Sequence, residues 1–338
     1  MLTRIFRYPD GVLANCAALS FVLLGFPVGV ALLTMPHGLA RLAGFCLVTL
    51  SLIWSAYFIH EFAHHAIFKS APVNMRWGTL MSWINGSCYA RFENLRKKHM
   101  RHHVERADVI TFDVKAYLLA APPWLRRTVL ALEWAYIPAV EFLMRGFVIA
   151  MPFQAGQSVA SRLRVIGIFA VRSAAFIALS WYSPLALILY CAAYLMFVTV
   201  LRFADCFQHT YDAYPILGDA PIPKDKLRDR VYEQANTFSD IVGLENRWLN
   251  LIWLNFGFHN AHHEKPAMPW HALPALHRTL YADRCVQVIP VASLLKSFHV
   301  HRVNRILASD YGQVLAHGQA GRADQFLGAA GVSFLTAV

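Results

Sequence analysis

The sequence predicts an all-α integral membrane protein with four transmembrane helices in two hairpins and a cytoplasmic helical cap. Of the 338 residues, 57% are hydrophobic and only 15% are charged, whereas about 25% charge is normal for a soluble protein. The mean hydropathy is +0.40. Four long stretches are almost free of charge, and clusters of histidine lie in the polar segments that adjoin them.

The four apolar stretches are long enough to cross a bilayer, for which about 20 residues suffice. Among them only the third contains a charged residue, Arg172. Short turns at 36–38 and at 183–184 join them in pairs. The predicted spans are residues 11–35, 42–59, 165–181 and 185–201. The whole chain, 1–338, is predicted to be a single membrane domain, with cytoplasmic segments 60–164 and 202–338.

The basic charge predicts the orientation of these helices. The formal net charge is +11, and Lys and Arg concentrate in Arg91–Arg106, Arg126–Arg127 and Lys224–Arg230, in the same segments as the histidines. Positive residues favour the cytoplasmic side, so we expect the histidine clusters and both termini there. Nucleic-acid binding would also favour a basic chain, but the long apolar runs and the lack of a basic helix with interleaved aromatics weigh against it.

The stretch Val129–Phe153 is apolar but carries Glu133, Glu141 and Arg145. Spacings of eight and four residues place all three on one face of a helix. We therefore predict one helix that lies along the membrane surface or packs beneath the site, and not a fifth span.

Three histidine clusters carry the functional prediction. His60 and His64 stand at i, i+4, and the pattern H-x-x-H-H occurs at His99 and again at His259. On a helix the three histidines of such a pattern can point the same way. Asp205 and His209 stand at i, i+4 after the fourth span. The predicted ligands are His60, His64, His99, His102, His103, His209, His259, His262 and His263, with Asp205 as an additional candidate that binds directly or through water.

Imidazole nitrogen binds zinc, copper, iron and nickel, so the residues alone leave the metal open. Nine imidazoles exceed what one ion takes, and two ions with four to five ligands each would use them all.

The scattered cysteines exclude a thiolate zinc site or a disulfide framework. His65 points away from His64 on a helix and is predicted not to be a ligand. Glu61 and Glu105 are expected to be solvated ion-pair partners, with hydrogen bonding to ligand imidazoles as the alternative.

With these motifs the sequence resembles the membrane fatty acid desaturase/hydroxylase superfamily, and in particular a bacterial branch. H-x-x-x-H follows the second span, H-x-x-H-H comes about 35 residues later, and H-x-x-H-H follows the fourth span. The resemblance implies that the nine histidines hold two iron ions. Asp205 stands where some members carry an asparagine that binds one iron through water. It also implies a location in a bacterial inner membrane.

The resemblance further implies O2-dependent oxidation of an unactivated C–H bond in a fatty acyl chain, with desaturation favoured over hydroxylation or decarboxylation to a terminal alkene. No catalytic residue separate from the ligands, and no site for an organic cofactor, is predicted. Electrons are expected from an external donor, ferredoxin or rubredoxin with a reductase, because no flavin, haem or iron–sulfur motif is visible. The rival hypothesis is a membrane protein that only binds metal. Transport by such a protein would favour ionisable residues within the spans.

Overall fold

The computed structural model describes residues 2–215, 220–243, 248–281, 287–314 and 325–338. Helices account for most of this part of the chain, and the strands are two short segments. The helices are α1 (Val12–Thr34), α2 (Gly38–Ala63), α3 (Ala71–Asn85), α4 (Phe92–Glu105), α5 (Val114–Ala120), α6 (Pro123–Trp134), α7 (Ala139–Ala150), α8 (Val159–Tyr182), α9 (Pro184–Cys206), α10 (Arg230–Ala235), α11 (His259–Glu264), α12 (Leu273–Tyr281), α13 (Val291–Val300) and α14 (Asn304–Leu307). The strands are β1 (Asp108–Ile110) and β2 (Ala213–Pro215), which pair in parallel.

The four predicted spans are confirmed. Within the described ranges, α1, α2, α8 and α9 are the helices long and apolar enough to cross a membrane. They form two hairpins, α1–α2 and α8–α9, and the remaining helices form the cap. The second hairpin turns at Ser183, whose side chain accepts a hydrogen bond from Ala186 N at the start of α9.

Helix α2 is the central span, since it packs against α1, α3 and α9. The α1–α2 contact is close because Gly29 and Gly44 face each other. A Cβ atom added at Gly44 would lie 2.7 Å from the Gly29 carbonyl oxygen, and one at Gly29 would lie 2.9 Å from Val48 Cγ2. Small residues at such a contact let two membrane helices approach and gain dispersion energy.

Two spans continue beyond their apolar windows into the cap. Helix α2 runs to Ala63 and carries His60, and α9 runs to Cys206 and carries Asp205. A helix rises 1.5 Å per residue, so these extensions carry the two residues beyond the apolar windows, toward the cap. The membrane helices thus fix the position of part of the site directly.

The prediction of a single helix over Val129–Phe153 is wrong. Helix α6 ends at Trp134 and α7 begins at Ala139, with Tyr136 between them at φ 61°. Pro138 explains the break, because the residue before a proline is disfavoured in the helical region. Glu133 and Glu141 are buried, so they do not form the outer face of a surface helix.

The break lets Glu133 join the cap to the last span. Its carboxylate accepts hydrogen bonds from Val140 N and from the guanidinium of Arg202 on α9. The Glu133 side chain is 3% exposed and that of Arg202 is 12% exposed. A buried pair of this kind leaves a costly unpaired charge if one partner is removed.

We therefore expect Glu133→Ala to destabilise the protein by about 3–5 kcal/mol, measured by denaturant unfolding in detergent. Asp225→Ala is the control, because the Asp225 side chain is 76% exposed, and it should change stability by less than about 0.5 kcal/mol. Equal stability of the two variants would show that the Glu133–Arg202 pair does not hold the cap to α9.

Candidate metal centre

The predicted ligands come from four places in the fold. His60 and His64 lie at the end of α2, and His99, His102 and His103 lie on α4. Helix α11 begins at His259 and carries the third cluster. His209 follows the end of α9 and pairs with Thr237 in an isolated β-bridge. Because α9 stops at Cys206, His209 and Asp205 are not on one helix, contrary to what their spacing suggested.

One group of five histidines forms a continuous set of ring contacts. It contains His60, His64, His99, His103 and His262. The Nε2 atoms of His60 and His262 are 3.0 Å apart, and those of His262 and His103 are 3.1 Å apart. The contacts continue from His103 to His99 at 3.2 Å and from His99 to His64 at 2.7 Å. All five rings therefore direct Nε2 toward a common centre.

The remaining four predicted ligand histidines form a second group beside the first. His102, His209 and His263 present nitrogen atoms within 4.8 Å of one another. His259 joins them, with its Nε2 2.7 Å from His209 Nε2, which is itself 3.0 Å from His102 Nε2. The rings of His103 and His263 have centroids 4.4 Å apart, so the two groups are in contact.

Each H-x-x-H-H motif divides between the two groups, so its three histidines do not point to one place. On α4, His99 and His103 belong to the group of five and His102 to the group of four. On α11 the assignment is reversed, because His259 and His263 join the group of four and His262 the group of five. Residues i and i+4 share a helix face, and i+3 lies slightly to one side, which allows one helix to serve two adjacent centres.

Burial favours the neutral form of seven of these imidazoles. It lowers the pKa well below the usual value for His64, His99, His103, His209, His259 and His262, and neighbouring histidines lower it further. Burial also lowers the pKa of His263 to about 4, against the opposing effect of Glu233. Neutral imidazole is the form that binds a metal ion.

Three carboxylates lie on the outer sides of these rings. Glu233 Oε1 accepts from His263 Nδ1 at 3.0 Å, and Asp108 Oδ1 is 3.2 Å from His102 Nδ1. Glu61 is 3% exposed, with Oε1 3.4 Å from His60 Nδ1 and Oε2 bonded to Trp270 N. The expectation of a solvated Glu61 is therefore wrong, whereas Glu105 does pair with Arg101 on α4. Carboxylates in such positions fix the orientation of a metal-binding ring.

Glu233 was missed by the sequence analysis. It lies on α10, far from every histidine motif in the chain, and its spacing carries no signal. Arg106 Nε donates to its other oxygen, Oε2, at 2.9 Å. The pairing holds Glu233 in place beside His263, so α10 belongs to the site although it contributes no histidine.

Asp205 lies apart from the two histidine groups. It lines a cavity together with His209, His259 and Lys98, so it faces the site without joining the nitrogen contacts.

His65 adopts φ 52° and lies outside both groups. The lone histidines His37, His271, His277, His299 and His301 also stand outside the groups, and His317 falls outside the described residues.

The geometry fits metal ions. A neutral imidazole carries one proton, yet the rings of the first group face one another through Nε2 at 2.7–3.2 Å. Metal–imidazole bonds are about 2.0–2.1 Å long, so nitrogens bound at right angles lie about 3 Å apart. His263 Nε2 is buried without a hydrogen-bond partner while its Nδ1 is held by Glu233. A cation would satisfy all of these nitrogen atoms.

Comparison with known proteins supports this assignment. The family model for fatty acid desaturases matches residues 36–290, which is most of the chain and includes every predicted ligand. The chain belongs to the fatty acid desaturase family. A search of curated proteins finds no match. The family implies an oxidoreductase that acts on fatty acyl chains in a bilayer, and the histidine groups are able to hold its metal.

We expect Glu233→Gln to weaken metal binding about 10–100-fold, because a neutral amide holds the His263 ring less firmly than a carboxylate does. Competition with a chelator on purified protein would measure the affinity. Glu105→Gln, which alters a carboxylate on α4 that is paired with Arg101, is the control and should bind metal as the unmodified protein does. Unchanged affinity in both variants would remove Glu233 from the site.

His277 allows a test of acid sensitivity outside the metal groups. It is fully buried on α12, and burial, aided by Arg278, lowers its pKa to about 4 from 6.5. Between pH 6.5 and 4 the unfolded chain therefore binds a proton at this residue that the folded protein does not bind. The free energy of unfolding falls as the pH drops through this range. We expect His277→Leu to lose less stability than the unmodified protein between neutral pH and about pH 5. The variant His37→Leu, changed at an exposed histidine, should keep the original dependence.

Proposed function

We propose that this protein uses two histidine-bound iron ions and O2 to oxidise an unactivated C–H bond of a fatty acyl chain, most simply to a double bond. The observation that carries the proposal is the division of nine convergent imidazoles into groups of five and four. The division supplies two adjacent all-nitrogen sites of the type that imidazole-binding metals occupy. We propose as ligands the nine histidines, with Asp205 acting on the second site directly or through water.

Iron bound there would supply the O2 chemistry that breaks a strong C–H bond. In the overall reaction, O2 with two electrons and two protons takes two hydrogens from the acyl chain and leaves two waters. The protein's own residues orient the site and exclude water. Glu233 holds His263 through its Nδ1 atom, and the Ala107 carbonyl oxygen, with Asp108 Oδ1 beside it, holds that of His102. Val109 and Phe256 give the adjoining cavity apolar walls.

The partners and location follow from the same proposal. The electrons come from an external carrier, ferredoxin or rubredoxin with its reductase. We place the protein as one domain in a bacterial inner membrane, with the cap and both termini in the cytoplasm, because the basic segments lie with the histidines. Hydroxylation and decarboxylation to a terminal alkene use the same site, and the products would distinguish them.

His102→Ala tests the proposal because His102 belongs to the four-histidine group and contacts His209. Mass spectrometry of lipids and volatiles from expressing cells should show a new alkene, alcohol or shortened product that the variant lacks. Metal analysis should find two irons per unmodified chain and fewer in the variant. His37→Ala, which alters a histidine outside both groups, should keep product and iron.

Zinc alone in the purified protein, with no oxidised acyl product after reconstitution with iron, would favour a protein that only binds metal. Full activity of the His102→Ala variant would contradict the ligand assignment instead.

A further inference from the structure

The last described segment, residues 325–338, forms part of the wall beside the histidines although it lies beyond the residues 36–290 that the family model matches. Val332 and Phe334 line a cavity of about 60 Å³ that also borders His99, His102, His209 and His259. The chain therefore closes its site with residues that the family's own motifs do not include.

Hydrogen bonds from Lys98 on α4 and from Thr111 hold this segment in place. Lys98 Nζ, adjacent in sequence to His99, donates to the carbonyl oxygens of Ser333 and Thr336, at 2.8 Å each. Thr111 Oγ1 donates to the same Thr336 oxygen at 3.0 Å. Ser333, Leu335, Thr336 and Ala337 are buried. Residue 334 is thereby held at a fixed distance from the helix that carries three predicted ligands.

The ring of Phe334 lies against the site. Its centroid is 6.4 Å from that of His60, in an edge-on arrangement at 78°, and 6.3 Å from that of Tyr57. Phe256 also packs edge-on against His60, at 4.5 Å. Phe334 is therefore part of an aromatic surface that begins at the first histidine of the group of five.

The cavity is too small for an acyl chain as it stands. Its volume of about 60 Å³ is well below the roughly 300 Å³ at which ligand pockets usually begin. Val332 also lines a neighbouring cavity of about 330 Å³, so the segment 328–332 separates a ligand-sized space from the site. An acyl chain that reaches the histidines from this larger space must lie against the segment or displace it.

We propose that Phe334 is a specificity-determining residue: the acyl chain lies against its ring, and the size of residue 334 sets which carbon stands beside the histidine groups. This inference rests on the proposed function. A smaller residue lengthens the acyl site and a larger one shortens it, while the metal groups stay as they are.

Two variants with opposite effects test the inference. The product profile of expressing cells, read by mass spectrometry as chain length and position of oxidation, should shift in opposite directions for Phe334→Ala and Phe334→Trp. Since one methylene group in an apolar pocket changes discrimination at least about tenfold, the ratio of longer to shorter products should rise about tenfold for the first variant and fall for the second. An unchanged profile in both, with normal iron content, would overturn the inference.

Phe326→Leu is the matched control. Phe326 is in the same segment and fully buried, but it packs on Phe207 and Phe238 and does not line the cavity. The substitution should lower the unfolding temperature without altering the product profile. A profile shift as large as that of the Phe334 variants would assign the effect to general loosening of the segment and overturn the proposal.

A labelling experiment tests the inference without requiring catalysis. In the Phe334→Cys variant, a long-chain N-alkyl maleimide should react faster than a charged maleimide, with the site of reaction located by peptide mass spectrometry. A Leu295→Cys variant, changed at a position 54% exposed on α13, should react readily with the charged reagent. Faster reaction of the charged reagent at position 334 would show that an aqueous path, and not an acyl site, reaches this residue.

The two experiments separate the possible failures. If the unmodified protein forms no oxidised acyl product, the proposed function fails. The relative rates of the alkyl and charged maleimides at position 334 still test whether this position faces an acyl site. If product forms but the Phe334 variants leave its profile unchanged, only the inference fails.

Discussion

The structure depends on nine imidazole rings, seven of them buried and two half-buried, that direct nitrogen atoms at one another. An unpaired buried nitrogen costs free energy because it gives up its hydrogen bonds to water. The five Nε2 atoms linked by these short contacts cannot all be paired as donor and acceptor, so the folded chain must hold them together against that cost. The α1–α2 contact at Gly29 and Gly44, the Glu133–Arg202 pair and the Lys98 bonds to the last segment restrain α2, α9 and α4, which carry or directly precede these rings.

The two histidine groups cannot be assembled independently. Helix α4 gives two rings to one group and one to the other, and α11 does the reverse, so displacing either helix disturbs both groups. Glu233 adds to this coupling through His263 on α11 and Arg106 at the end of α4. A rigid arrangement of this type keeps metal ligands within the small tolerance that their chemistry requires.

Local patterns in the sequence predicted the spans and gathered the nine histidines, because hydropathy and i, i+4 spacing are properties of contiguous residues. They did not reveal Glu233 or Phe334, which reach the site only through the tertiary fold. Glu61 was misread because a carboxylate at the end of a predicted span is expected to meet water, whereas the fold covers it with Trp270, whose backbone N–H donates to Oε2. The helix break at Pro138 was missed because the composition on both sides is equally apolar.

The predicted ligands and part of the cavity wall beside them come from different parts of the chain. The predicted ligands all lie within residues 36–290, where the family model matches, whereas Val332 and Phe334 lie beyond it. Metal geometry tolerates little change, so the histidine motifs identify the chemistry. A wall residue can vary in size without disturbing a ligand, and it therefore alters which carbon is presented while the histidine spacing stays constant. This separation explains why the motifs identify the class of reaction much more sharply than the substrate.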